Sequence, residues 1–190
     1  MRLTHLLLYV LLLAATNNLR AQDALSLDET IQYITNKING RLPIKMNDQG
    51  TVTQTVSVLE FKDNCLVLKS NLQVKVGQQF YAGGTTITYL PLNKLDPNVE
   101  VEVFSKPNVS EFYDVSFKTS DGSHDIILKT TYVDHLNPGN NHKTSSTQNN
   151  WGVGIQGWDE KLVANSLAKA FRHAIELCGG KSDPFANPTQ

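Results

Sequence analysis

The residues whose types could do chemistry collect late in the chain. Asp134, His135 and His142 follow a stretch that already carries His124 and Asp125. Imidazole and carboxylate together suit zinc, and such a set would point to a metal-dependent hydrolase. The spacing matches no standard ligand set, however, and histidines set among Asn and Ser are more often solvated. The sequence therefore predicts no metal and no cofactor. Trp151 and Trp158 bracket a glycine-rich stretch beside these residues, and Phe80-Tyr81 stand in a separate segment. Tryptophan is enriched at binding surfaces, although a packing or hinge role is commoner. Asp134, His135, His142, Trp151 and Trp158 are accordingly the candidate ligand-binding residues. No catalytic residue is expected. Gly83-Gly84 and Gly152–Gly157 lack the Lys/Ser context of a phosphate loop, and no Ser stands in a nucleophile-elbow pattern. Cys178 falls near a helix C-terminus, where the dipole has the wrong sign to activate a thiolate.

The elements that must hold these residues read as helix, strands, helix. Ser26-Leu27-Asp28-Glu29 fits a capping box, Leu27, Ile31, Ile34 and Ile38 recur at helical spacing, and Asn39-Gly40 stops the run. From Thr51 to Val133 the period becomes two. It predicts strands over Val52–Phe61, Cys65–Gln73, Thr85–Leu90, Val99–Phe104, Glu111–Thr119 and His124–Tyr132, with Asp63-Asn64, Gly83-Gly84 and Asp96-Pro97-Asn98 among the turns. A two-residue turn at Asp121-Gly122 sets Phe117 opposite Ile126, Lys118 opposite Asp125 and Asp114 opposite Lys129. A turn at Asp63-Asn64 sets Phe61 opposite Leu66, Leu59 opposite Leu68, and Lys62 opposite Cys65, with Val58 and Glu60 outward. Residues 134–157 read as a long polar insertion with at most one short strand around Trp151–Ile155. The last helix is capped by Asp159. Its apolar side is Val163, Leu167, Ala170, Phe171, Ala174, Leu177 and Cys178, and Gly179-Gly180 ends it. Residues 181–190 read as a surface tail.

Composition narrows the classes. The chain has 190 residues, 40% of them hydrophobic, 18% charged, and a net charge of -1. That balance argues against a nucleic-acid binder that works by neutralising phosphates, and two Cys cannot build a disulfide scaffold. Met1 to Gln22 combine a basic Arg2, an apolar run from Leu6 to Ala15 and a small residue, Ala21, at the expected cut. Residues 1–21 thus read as a signal peptide, leaving one domain over 22–190 with no transmembrane segment. Export to the periplasm or the cell exterior follows. Cys65, turned outward, and Cys178, turned inward, are expected to stay unpaired.

The order of elements resembles the pleckstrin-homology-like superfold over roughly Val52 to Gly180. The resemblance rests on the hairpin that opens the sheet, Tyr89-Leu90-Pro91-Leu92 before a turn, the Asp121-Gly122 hairpin and the closing helix. It implies an α+β domain: a bent antiparallel sheet or barrel of six to seven strands, closed by the C-terminal amphipathic helix; the extra N-terminal helix and residues 134–157 depart from that minimal plan. The ending Leu177-Cys178-Gly179-Gly180-Lys181 is also similar to small exported bacterial proteins of unknown function, and that likeness carries no activity. The superfold hosts lipid, peptide and protein binders, so it does not fix a ligand. Phosphoinositide-binding members carry basic clusters on the first hairpin, where this chain has only Lys62 beside Asp63. The expected function is a non-catalytic exported binding module for a protein or peptide of the cell envelope. The alternatives are a carrier of a lipid or other apolar ligand under the closing helix, and the metal-dependent hydrolase.

Overall fold

The computed structural model describes residues 25–39, 41, 44–47, 51–77, 79–104, 112–156 and 159–181. The proposed signal peptide, Trp158 and the tail beyond Lys181 lie outside them. Chain order is α1 (Leu27–Asn39), β1 (Ile44–Asn47), β2 (Thr51–Lys62), β3 (Cys65–Val76), β4 (Gln79–Pro91), β5 (Glu100–Phe104), β6 (Phe112–Lys118), β7 (Ile126–Asp134), β8 (His142–Gln148), β9 (Asn150–Ile155) and α2 (Glu160–Leu177). The fold is α+β and antiparallel, with a six-stranded sheet β1-β2-β3-β4-β7-β8 and a three-stranded sheet β5-β6-β9. Neither sheet closes into a barrel among the described residues.

The capping box forms as the sequence requires. The Ser26 amide donates to Glu29 Oε2 at 2.9 Å, and the Glu29 amide donates to Ser26 Oγ at 3.3 Å. Ile31, Ile34 and Ile38 are buried, and Asn39 Oδ1 accepts from the Val58 amide at 2.7 Å, which ties the helix end to β2. In α2 the buried side is Val163, Ala164, Leu167, Ala168, Phe171, Ala174 and Ile175. Leu177, expected on this side, is 47% exposed; Ile175 takes its place, one helical turn beyond Phe171. Asp159 receives the Val163 amide on its backbone carbonyl at 2.9 Å, and its side chain makes no capping bond. One core joins both helices to both sheets: Leu66, Leu68, Leu90 and Ile126 of the large sheet meet Val115, Phe117, Val153 and Ile155 of the small one.

Four expectations are corrected. At Asp63-Asn64 both residues take positive φ, 51° and 59°, as a type I′ turn needs. Phe61 pairs with Leu66 and Lys62 with Cys65, but a bulge at Leu59 then brings Val58, not Leu59, opposite Leu68. One inserted residue exchanges the faces, so Val58 is buried and Leu59 is 53% exposed.

The Asp121-Gly122 segment makes no hairpin between β6 and β7. Only Gly122 has a positive φ there, whereas a type I′ turn needs two. The Asp121 carboxylate accepts from the Ser123 amide at 2.9 Å, and the backbone of Lys118, Thr119 and Ser120 is bonded to Asp96, Asn149 and Lys94. The chain therefore crosses between sheets. Phe117 pairs with Trp151, Lys118 with Asn150, and Asp114 with Glu102 and Gly154. Lys129 lies beside Ile87 and Ser145. Finally, the polar insertion contains β8 in addition to the strand expected around Trp151–Ile155, which is β9, and Gly83-Gly84 lie inside β4 rather than in a turn.

Candidate functional site

The strands of the large sheet run far past the core. Beyond Val58, Leu68, Thr88 and Ile126, no described residue of β2, β3, β4 or β7 is buried. On the face turned away from the core, this extension holds a cleft of about 720 Å³. Cross-strand pairing sets Thr55, Asn71, Thr85 and Thr131 in one row and Gln73, Gly83 and Val133 in the next. A Cβ on Gly83 would come within 3.2 Å of the Leu72 carbonyl, so the floor is bare backbone there. A second bulge, at Tyr81, puts Phe80 opposite Lys75 and thus on the cleft face. The Lys75 ammonium stands 4.1 Å from the Phe80 ring centroid. The other ring neighbour is His135, edge-on at 6.5 Å, whose amide donates to the Tyr81 carbonyl at 3.0 Å. Thr85 Oγ1 donates to Asn71 Oδ1 at 2.9 Å, which fixes the amide at the cleft wall.

The other sequence candidates go elsewhere. Asp134 organises the turn between β7 and β8. Its Oδ1 accepts from the Leu136 and Asn137 amides, both at 2.9 Å, and its Oδ2 from Asn140 Nδ2 at 3.1 Å. These donors, the Asn137 amide foremost, hold its carboxyl below the usual range. His142 pairs with Tyr132 across the strands, its ring tilted against the tyrosine at 5.1 Å, and bonds the Asn140 carbonyl. By strand alternation Tyr132 and His142 sit on the opposite sheet face from His135. Trp151 belongs to the small sheet, where its ring lies 6.1 Å from Phe117, itself 4.6 Å from Phe171. Of the predicted residues that the structure describes, only His135 thus lines the cleft. Among the described residues no three His, Cys, Asp or Glu side chains gather as a metal site. No described helix is long and apolar enough to cross a membrane. No family model, curated protein or solved structure matches the chain.

A second depression, about 440 Å³, lies on the outer face of the small sheet and was not anticipated from sequence. Glu100, Glu102, Asp114 and Lys118 line it, with Trp151 at its side. Lys118 Nζ reaches Glu100 at 3.9 Å. A Cβ on Gly152 would collide with the Asp114 carboxylate, so that carboxylate lies across the bare backbone of β9. Burial first, and then the neighbouring Glu102, raise the Asp114 carboxyl, against a bond from Ser116 Oγ at 3.2 Å that lowers it. Both cysteines are half-buried and free, and burial raises both thiols.

Proposed function

We propose that this protein is a non-catalytic binding module, exported to the periplasm or cell exterior, that takes a peptide or protein segment in the cleft on the open face of its large sheet. The observation that carries the reading is the pairing of Phe80 and His135 over a glycine floor, on strands that no core residue requires to be so long. Exposed aromatic and apolar groups among a few fixed polar ones make up a recognition surface. Asn71, Gln73 and Thr85 supply both donors and acceptors at its walls. Export rests on Met1 to Gln22. The finer resemblance to the pleckstrin-homology-like superfold rests on the C-terminal helix packed against antiparallel strands. The return of β7 to β4, past β5 and β6, departs from a simple meander.

The carrier reading has less support, because Leu167 and Phe171 are fully buried where a ligand under α2 would have to enter. The hydrolase reading would need His135 and His142 on one face, and they lie on opposite ones.

A display selection with random peptides on the intact protein tests the proposal. Peptides should be enriched whose binding to purified protein weakens by about ten-fold in Phe80→Ala, since a central aromatic anchor commonly contributes more than 1 kcal/mol. Failure to enrich any peptide, or binding untouched by Phe80→Ala in a normally folded variant, would refute it.

A further inference from the structure

The depression on the small sheet is made of charge. Glu100 and Glu102 alternate along β5 and share one face. Asp114 lies directly across from Glu102, and Asn98, Gln148 and Asn150 add amides at the rim. It continues into a cleft of about 300 Å³ that shares Lys118 and Asn150 with it and has Asp96 in its lining. Asp96 is fully buried. Its Oδ1 accepts from the Asn98 amide at 2.9 Å, while its Oδ2 has no hydrogen-bond partner among the described residues. A buried carboxylate oxygen without a donor is costly, and a cation or donor arriving at that cleft would relieve it. Four carboxylates therefore border a continuous surface on which Lys118 is the sole cation among the lining residues, and Lys118 is 47% exposed and only loosely paired.

The spacing says what shape of cation fits. The carboxylates do not converge, as a metal ion would require. Alternate residues on a strand stand roughly 6.5–7 Å apart, which is also the separation of alternate side chains in an extended peptide. The rim amides can bond a peptide backbone.

We propose that this groove binds an extended peptide segment with lysine or arginine at alternate positions, Glu100, Glu102 and Asp114 receiving the cationic heads and Asp96 the terminal one. The site is separate from the cleft at Phe80, and either can fail without the other.

The test uses the whole protein and a short blocked peptide alternating lysine with glycine, labelled for fluorescence anisotropy at low salt. The wild type should bind it, and should bind several-fold more weakly a peptide of the same charge with its lysines in one block. Glu102→Gln with Asp114→Asn should weaken binding by about ten-fold, the loss expected on removing well-placed partners of a charge. Glu102→Gln alone, on an exposed strand face, keeps the measurement readable if the double variant folds poorly. Lys118→Gln should tighten binding, because it removes the competing cation, whereas a merely structural Lys118–Glu100 pair predicts no gain. Phe80→Ala should leave the affinity unchanged. Absence of binding overturns the proposal, as do equal affinities for the two peptides or an affinity indifferent to Glu102 and Lys118.

Discussion

The two ends of the large sheet are built from the same strands and obey different rules. Near the Asp63-Asn64 turn, Leu66 and Leu68 of β3 are 0% and 1% exposed, pressed between Leu90, Ile126 and the helices. Four residues further along the same strand, Leu72 is 37% exposed, and its neighbours across the sheet are Gln54 and Gly84. β3 has 12 residues and β4 has 13, about twice the usual strand length. The backbone ladder continues, stepped by the bulge at Tyr81, but the apolar burial that ordinarily stabilises it does not. Stability therefore resides at one end, while the other end is free to carry polar and aromatic groups outward. A binding surface belongs at the end where side chains are not committed to packing.

The sharpest way to break this comparison is to attack the committed end. Leu167→Asp or Phe171→Asp places a carboxylate in the fully buried side of α2 with no partner at hand, and stable folding should be lost. Lys169→Asp, on the exposed side of the same helix, should shift stability by no more than about 0.5 kcal/mol. Urea unfolding followed by circular dichroism reads both. Similar midpoints for the two kinds of change would mean that α2 does not hold the sheets together.

A gentler pair compares the ends directly within β3. Leu68→Ala leaves a void in the core and should cost roughly 2–5 kcal/mol. Leu72→Ala removes the same atoms from a half-open surface and should cost less than about 1 kcal/mol. Equal losses in denaturant titrations would show that the extension is as tightly packed as the core, and the division between the ends would fall.

How much of this was legible depends on how local the signal is. Both helices could be read because Ile31, Ile34 and Ile38, and then Val163, Leu167 and Phe171, repeat with the helical period, and Ser26 and Glu29 mark a boundary within one turn. The Asp63-Asn64 turn was legible for the same reason. The bulge at Leu59 was not, since an inserted residue changes pairing without changing composition. At Asp121-Gly122 the matching of Lys118 with Asp125 was a local coincidence. The partner of β6 is decided by Thr119 bonding Asn149, thirty positions away. β8 escaped because His-Lys-Thr-Ser-Ser-Thr-Gln contains no apolar residue and has no face to betray. His135 was found by its chemistry; its neighbour Phe80 needed the Tyr81 bulge. The acidic groove had a trace in Glu100-Val101-Glu102-Val103, but Asp114 joins it only once β5 and β6 pair.

The smallest effect concerns that groove, and its sign separates a retained function from a packing role. Burial first, and then Glu102, push the Asp114 carboxyl up from its ordinary value, against the bond from Ser116 that lowers it. The folded protein thus holds the Asp114 proton more tightly than the unfolded chain does. Between the unfolded and folded pKa values the native state binds more protons, so stability falls as pH rises through that window. The cost is complete above the folded value and disappears as pH drops below the unfolded one. Asp114→Asn removes the ionisation and keeps an acceptor for Ser116 Oγ. At neutral pH the variant should be more stable than the wild type, by no more than about 0.5 kcal/mol because solvent reaches the site. In acid, below the ordinary carboxylate range, the two unfolding curves should converge. A variant that is less stable at neutral pH would mean that the native structure stabilises the Asp114 charge, and the carboxylate would then need no ligand to account for it. A variant that gains stability while losing affinity for the alternating basic peptide would place Asp114 among residues held against the interest of the fold, as a binding group is expected to be.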